Sequence, residues 1–72
     1  MTKTYKIDVD CPNCANKMEC AVRKTAGIAH ASINYMAQKV VVEFEDGADP
    51  SAVMEAARKS CKRIDRDFEI YL

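Results

Sequence analysis

Apolar and charged residues alternate near the start of the chain, where Tyr5, Ile7 and Val9 are separated by Lys6 and Asp8. This alternation predicts a strand with one buried face. Apolar residues then recur at three- and four-residue spacing, which predicts a helix from about Asn13 to Ala26. Gly27 follows this stretch and predicts the end of the helix, because glycine readily adopts the left-handed conformation found there.

The middle of the chain predicts a hairpin. One strand extends from about Ile28 to Tyr35, and a second places Val40, Val42 and Phe44 on one face. The turn between them lies near residues 36–39.

A second helix and a last strand complete the pattern. Asp49 is the expected N-cap, and Pro50 suits the first helical position. The expected inner face of this helix comprises Val53, Ala56, Ala57 and Ser60. The final strand carries Phe68, Ile70 and Leu72 on one side.

The predicted order of elements is βαββαβ, in one domain spanning residues 1–72. With right-handed crossovers, this order gives a ferredoxin-like α+β sandwich: a four-stranded antiparallel sheet with two helices on one face. The same topology brings three segments to one end of the molecule, namely residues 10–14, 35–39 and 60–63.

The composition and length of the chain argue against several classes of function. Eleven Lys and Arg residues balance eleven Asp and Glu residues, so nothing attracts the whole chain to nucleic acid or to an anionic membrane. Seventy-two residues are too few for most enzymes with a deep pocket, and we expect no catalytic activity. The longest charge-free stretch, 25–38, is too short and polar to span a bilayer. We therefore expect a cytoplasmic monomer, or a cytosolic domain of a membrane protein, without membrane insertion.

Cys11-Pro12-Asn13-Cys14 lies between the first strand and the first helix. Two thiolates at this spacing can chelate one soft metal ion, and the helix N-terminus should favour a thiolate at Cys14. The chain has no second such pair and no paired histidines, so a closed four-ligand zinc site is not expected. An accessible two-ligand site suits metal transfer. A dithiol oxidoreductase and two purely structural cysteines are the alternatives.

The run from Val9 to Glu19 carries this pair, and Val22, Gly27-Ile28, Ile33-Asn34 and Lys39–Val42 follow it. Together they resemble a heavy-metal-associated domain over nearly the whole chain. Such domains occur as small metallochaperones and as cytoplasmic N-terminal modules of metal-exporting P-type ATPases. The resemblance implies that Cys11 and Cys14 bind the ion. It implies partners among the other domains of an ATPase or among metal donor and acceptor proteins.

The residues before the pair depart from the copper-type motif Gly-Met-x-Cys-x-x-Cys, since Asp8, Val9 and Asp10 occupy its first three positions. An acidic residue at x resembles the zinc-, cadmium- and lead-exporting ATPases, in which this carboxylate can join the ligands. The expected cargo is therefore Zn(II), Cd(II) or Pb(II), with Asp10 as a ligand. Asp10 could instead be a solvated residue at a strand end. A free-standing Cu(I) metallochaperone of the same fold is the alternative function.

Cys61 is a further candidate ligand, because the topology brings the predicted exit loop of the second helix to the metal end. It could instead be a small residue that packs in the core. Cys20 is six residues beyond Cys14, about 9 Å along the helix, and should not share an ion with it. Met36 is expected to cover the site, and His30 is expected to lie on the surface. Lys62 could face either the metal centre or solvent.

Overall fold

A computed structural model describes all residues, 1–72. Its elements are β1 (Thr2–Asp8), α1 (Pro12–Arg23), β2 (Ile28–Asn34), β3 (Lys39–Phe44), α2 (Pro50–Ile64) and β4 (Glu69–Tyr71). The strands form one sheet in the order β2-β3-β1-β4, and every neighbouring pair is antiparallel. The predicted ferredoxin-like sandwich is confirmed. Neither helix is long and apolar enough to cross a membrane.

The first helix is shifted toward the N-terminus relative to the prediction. It begins at Pro12 and ends at Arg23, three residues before the predicted end at Ala26. The side chain of Thr25 donates to the Ala21 carbonyl oxygen at 3.0 Å, and the chain then turns toward β2. Gly27 lies in this turn with φ +92°, so the predicted left-handed glycine is present but follows the helix end by four residues.

The second helix differs from the prediction in its length and in its buried face. It continues to Ile64, so the predicted exit loop at 60–63 is its last turn. Its buried residues are Met54, Ala57 and Cys61, whereas Ala56 is exposed and Ser60 is half-buried. Both sets of positions fit a period of 3.6 residues. Packing against the sheet selects the set that buries larger apolar groups and no hydroxyl.

The hydrophobic core lies between the sheet and the two helices. Val40, Val42 and Phe44 are buried on β3 as predicted, and Met18 and Phe68 are also buried. In β2 the pairing is irregular between Ile28 and His30. Between these two pairs β2 has one residue more than β3, which changes the positions of β2 that face the core. Ile28 and Ala31 are therefore both buried although they are three residues apart.

Candidate metal centre

The two thiols of the Cys-Pro-Asn-Cys loop face each other where β1 ends and α1 begins. Cys11 is the N-cap of α1, with φ −146° and ψ 155°, and its Sγ accepts a hydrogen bond from the Cys14 backbone N–H at 3.2 Å. The Sγ atoms of Cys11 and Cys14 are 2.8 Å apart. Both residues are half-buried. The loop therefore presents two soft donor atoms side by side at the molecular surface.

Local sequence explains this geometry. Pro12 occupies the first turn of α1, where its missing N–H breaks no helical hydrogen bond and its fixed φ suits the helix. The Ala15 N–H donates to the Cys11 carbonyl oxygen at 2.9 Å, which closes the first helical turn. Ala15 and Met18 are buried and anchor the helix in the core. Cys14 is thus held by a packed helix, while Cys11 lies just outside it.

The two thiols differ in acidity. The hydrogen bond shared with the Cys14 side chain lowers the pKa of Cys11, and the Cys14 backbone N–H lowers it further. The same shared hydrogen bond raises the pKa of Cys14, with added contributions from burial and from the negative charges of Cys11 and Asp65. The two protons are therefore lost in coupled steps that belong to the pair, and the hydrogen bonds favour the thiolate at Cys11. The helix N–H expected to favour a thiolate at Cys14 donates to Cys11 instead, and a thiolate at Cys14 stays a prediction.

Asp10 directly precedes Cys11, but its side chain is not grouped with the two thiols as a third metal ligand would be. Its side chain is exposed and makes no ion pair, and its main-chain carbonyl accepts a hydrogen bond from the Tyr35 hydroxyl at 2.9 Å. Nowhere in the chain do three or more His, Cys, Asp or Glu side chains come close enough together to hold a metal ion. The role of Asp10 as a ligand stays a prediction.

Cys61 lies in the core and not in an exit loop. It is 1% exposed, and its Sγ is 3.8 Å from the Met18 carbonyl oxygen. Burial raises its pKa to about 11, which keeps the thiol protonated at neutral pH. The predicted loop position is wrong because α2 extends to Ile64. Metal binding by Cys61 also stays a prediction, and it would require this thiol to leave the core and lose its proton.

The remaining candidates make no hydrogen bond to the two thiols. Cys20, Met36 and His30 are exposed. Lys62 binds the Glu69 carboxylate at 3.0 Å and the Arg66 carbonyl oxygen at 3.3 Å, so its charge is directed toward β4. None of these side chains makes a hydrogen bond to either cysteine of the pair.

Three residues near the site were not named as candidates, although the predicted topology places residues 35–39 at this end of the molecule. Gln38 adopts φ +54°, a conformation more typical of glycine or asparagine, and its side chain bonds to Val9. Tyr35 bonds to Asp10 from the same hairpin. Asp65 follows α2 and raises the pKa of Cys14 through its charge. The topology predicts that the hairpin lies near the cysteine pair, but the individual hydrogen bonds depend on how separate loops pack, which local patterns do not encode.

Comparison with known proteins identifies related chains. Residues 4–63 match the family model described as "Heavy-metal-associated domain". "Copper-transporting ATPase 1" of Rhizobium meliloti (strain 1021) is 38% identical over 48 residues, which are 67% of this chain and 6% of that protein. The chain therefore spans only a small part of this relative.

Solved structures show the same fold. The "CopZ metallochaperone" has a TM-score of 0.75 at 15% identity, and the match covers 99% of this chain and 100% of that one. The N-terminal domain of a potential copper-translocating P-type ATPase from Bacillus subtilis, solved in the Cu(I)-loaded state, has a TM-score of 0.75 at 23% identity. That match covers 99% of this chain and 84% of the other. All three of these relatives are described as copper proteins or metallochaperones, whereas Asp10 suggested a likeness to zinc, cadmium and lead exporters.

Proposed function

The chain belongs to the heavy-metal-associated domain family, and we propose on that premise that it binds one Cu(I) ion between the thiolates of Cys11 and Cys14 and transfers it to a partner. The observation that carries this proposal is the pairing of two Sγ atoms 2.8 Å apart with no third ligand grouped beside them. Thiolates are soft ligands that suit Cu(I). Zn(II) usually takes four ligands, of which this loop supplies two.

The names of the relatives support copper as the cargo, since the R. meliloti protein is a copper-transporting ATPase. The partner in the transfer is a protein or domain with its own exposed thiolates, such as a metal donor or another domain of an exporting ATPase. Because this chain spans 6% of that relative, its role as a module of an exporter is part of the proposal. A free-standing chaperone would use the same two cysteines.

Metal entry requires the loop to open. Two metal–sulfur bonds of about 2.3 Å can span a 2.8 Å gap only at an angle of about 75°, far from the near-linear arrangement of a Cu(I) ion with two thiolate ligands. The Sγ atoms must therefore move apart. Cys14 is held in the first turn of a packed helix, so Cys11 at the N-cap is the residue that moves. In transfer, a partner thiolate enters beside the ion before Cys11 leaves.

Metal titration of the reduced chain under anaerobic conditions tests the proposal. Cu(I) should bind with one ion per chain in competition with a Cu(I) chelator, and Cys11→Ser or Cys14→Ser should each abolish binding at that chelator strength. Cys20→Ser is the matched control, because Cys20 is an exposed cysteine on the same helix. Retention of Cu(I) by the Cys11→Ser, Cys14→Ser double variant would overturn the proposal. Turnover in a disulfide-reduction assay would instead favour the oxidoreductase.

A divalent cargo is the second candidate, and the position of Asp10 favours it. The carboxylate is exposed, free of ion pairs and adjacent to Cys11, so loop opening could bring it to a dication. Competition between Cd(II) and Cu(I) separates the two candidates. For a divalent site, Asp10→Asn should weaken Cd(II) binding about tenfold or more, whereas Asp8→Asn on the adjacent strand should not. Preference for Cu(I) without any effect of Asp10→Asn would exclude the divalent candidate.

A further inference from the structure

The hairpin between β2 and β3 is bonded to the chain segment that leads into the cysteine pair. The main-chain oxygen of Gln38 accepts a hydrogen bond from the Ile7 N–H at 2.9 Å. The side-chain Oε1 of the same residue accepts one from the Val9 N–H, also at 2.9 Å. Gln38 thus supplies acceptors to two alternate positions, one in β1 and one just after it. The Gln38 amide extends the ladder between β1 and β3 beyond Asp8, where β1 itself ends.

Gln38 holds this position in an uncommon backbone conformation. Its φ is +54°, in the left-handed region that residues with side chains rarely adopt. The Gln38 Nε2 donates to the Tyr35 carbonyl oxygen at 2.7 Å, and the Gln38 N–H donates to the same oxygen at 3.3 Å. Asn34 Oδ1 accepts from the Ala37 N–H at 3.0 Å. An uncommon backbone conformation persists where surrounding hydrogen bonds hold it in place, and the hydrogen bonds of this hairpin hold Gln38 in this way.

Tyr35 makes a second connection from the hairpin to the loop. Its hydroxyl donates to the Asp10 carbonyl oxygen at 2.9 Å. The two residues before Cys11 are therefore bonded to the hairpin, Val9 through its N–H and Asp10 through its carbonyl. We use the name hairpin latch for the side chains of Tyr35 and Gln38 with these two bonds. The latch ends one residue before the cysteine that has to move.

We propose, on the basis of the Cu(I) transfer function above, that Tyr35 and Gln38 are positioning residues that control how fast the metal is released. The latch holds Val9 and Asp10 in place, so opening of the site is confined to Cys11. Without the latch the whole segment can move away from Cys14, and an incoming thiolate gains access to the ion. Loss of one bond of this kind should accelerate transfer about three- to tenfold.

The latch can be tested without metal by amide hydrogen exchange in the apo chain. Gln38→Ala removes the acceptor of the Val9 N–H, and exchange at Val9 should accelerate about tenfold or more, whereas Gln38→Glu retains the acceptor and should limit that acceleration. Met36→Ala is the matched control, because Met36 lies in the same hairpin, is 88% exposed and makes no latch bond. The proposal would be overturned if the Val9 amide exchanged at the same rate in Gln38→Ala as in the parent chain.

Release is measured as the rate of Cu(I) transfer from the loaded chain to a chelator. Gln38→Ala and Tyr35→Phe should accelerate transfer about three- to tenfold, with one ion still bound per chain, while Met36→Ala should transfer at the parental rate. Tyr35→Phe removes one hydroxyl from a half-buried side chain, so it keeps the test valid if Gln38→Ala disturbs the hairpin. Parental transfer rates in both variants would refute the role in release.

Failure of the latch and failure of the proposed function give different results. If the parent chain binds no Cu(I), the proposed function fails, and with it the role of the latch in release. The Val9 exchange rates then still decide whether the bonds exist in solution. If the parent binds Cu(I) and the latch variants match it in both measurements, only the positioning role is rejected.

Discussion

The four cysteines of this chain have the same side chain and three different environments. Cys11 and Cys14 are half-buried and share a hydrogen bond, Cys20 is exposed on α1, and Cys61 is buried. Thiolate formation depends on the surroundings of the sulfur, since nearby N–H groups favour the anion and burial disfavours it. At the residue scale, therefore, the environment of each thiol determines whether it can serve as a ligand.

Alkylation of the apo chain at neutral pH should modify Cys11 faster than Cys14. The pKa of Cys11 is lowered, chiefly by its hydrogen bond to the Cys14 side chain, so a larger fraction is thiolate. Cys61 should stay unmodified until the chain unfolds, because burial raises its pKa to about 11 and blocks access to it. Mass mapping after timed iodoacetamide treatment measures the order. Faster modification of Cys14 would contradict the lowered pKa of Cys11.

Replacement of Cys61 by alanine tests whether this residue is structural. Cys61→Ala should lower the free energy of unfolding by about 1–2 kcal/mol, because it leaves a small cavity in the core. Metal stoichiometry should not change. Cys20→Ala, at an exposed position, should alter stability by less than about 0.5 kcal/mol. Urea denaturation and metal titration of both variants measure these effects. Loss of metal binding in Cys61→Ala with unchanged stability would instead identify Cys61 as a ligand.

At the scale of elements, the connections determine how helices and strands pack. The turn from α1 to β2 passes directly over α2, and it does so at Gly27. An added Cβ at Gly27 would lie 2.6 Å from Val53 Cγ2, closer than carbon atoms can approach. The residue therefore needs to be glycine both for its φ of +92° and for the space it leaves.

Two alanine substitutions separate these requirements. Gly47 has φ +81° but nothing within 4 Å of an added Cβ, so Gly47→Ala should cost about 1 kcal/mol for backbone strain alone. Gly27→Ala should cost about 2–4 kcal/mol, because the same strain is combined with a steric clash. Thermal and urea unfolding of both variants provide the comparison. Equal losses would show that Val53 moves aside without cost.

The short strand β4 is joined to α2 by charged groups. The Glu69 carboxylate accepts hydrogen bonds from Arg58 at 2.7 Å and Lys62 at 3.0 Å. These two bonds lower the pKa of Glu69 from 4.5 to about 2, and the bond from Arg58 has the larger effect. Because the folded-state pKa is the lower one, this contribution to stability is complete above pH 4.5 and is lost as the pH falls toward 2.

Acid titration of Glu69→Gln should reveal this contribution. The variant should be less stable than the parent at neutral pH, and the difference should shrink as the pH falls from 4.5 toward 2. Glu43→Gln is a suitable control, because Glu43 is exposed on β3 and makes no ion pair. Urea midpoints measured across this pH range provide the test. A difference that stays constant with pH would contradict the shifted pKa.

At the scale of the whole molecule, a 72-residue chain with 15 buried residues has a small core. Such domains are only marginally stable, so ligand binding can change their stability appreciably. The candidate metal site lies between the end of β1 and the start of α1, and the hairpin latch connects it to the β2–β3 hairpin. A bound ion would therefore join two neighbouring elements, and only the hairpin latch connects them to a segment that is distant in sequence.

Cu(I) should raise the stability of the chain by mass action, since the unfolded chain does not hold the two thiols in place. At a free concentration about 100 times the dissociation constant, the expected gain is about 2.7 kcal/mol. Thermal unfolding of the loaded and apo chains measures it, with Cys11→Ser as the control that should show no gain. Equal gains in the parent and the control would show that the stabilising ion is bound elsewhere.

The sequence by itself determined the order of elements, the buried face of β3, the cap at Asp49-Pro50, and the cysteine pair. These features depend on residues only a few positions apart, because strand alternation, helical periodicity and capping are local interactions.

Only the tertiary structure decided which face of α2 is buried, where Cys61 lies, and how Gln38 reaches Val9. Two faces of α2 satisfy the same helical period, and contact with a sheet built from distant segments selects between them. The bond from the Val9 N–H to the Gln38 side chain likewise joins segments that are 29 residues apart. Such outcomes follow from long-range packing, which no local pattern of residues contains.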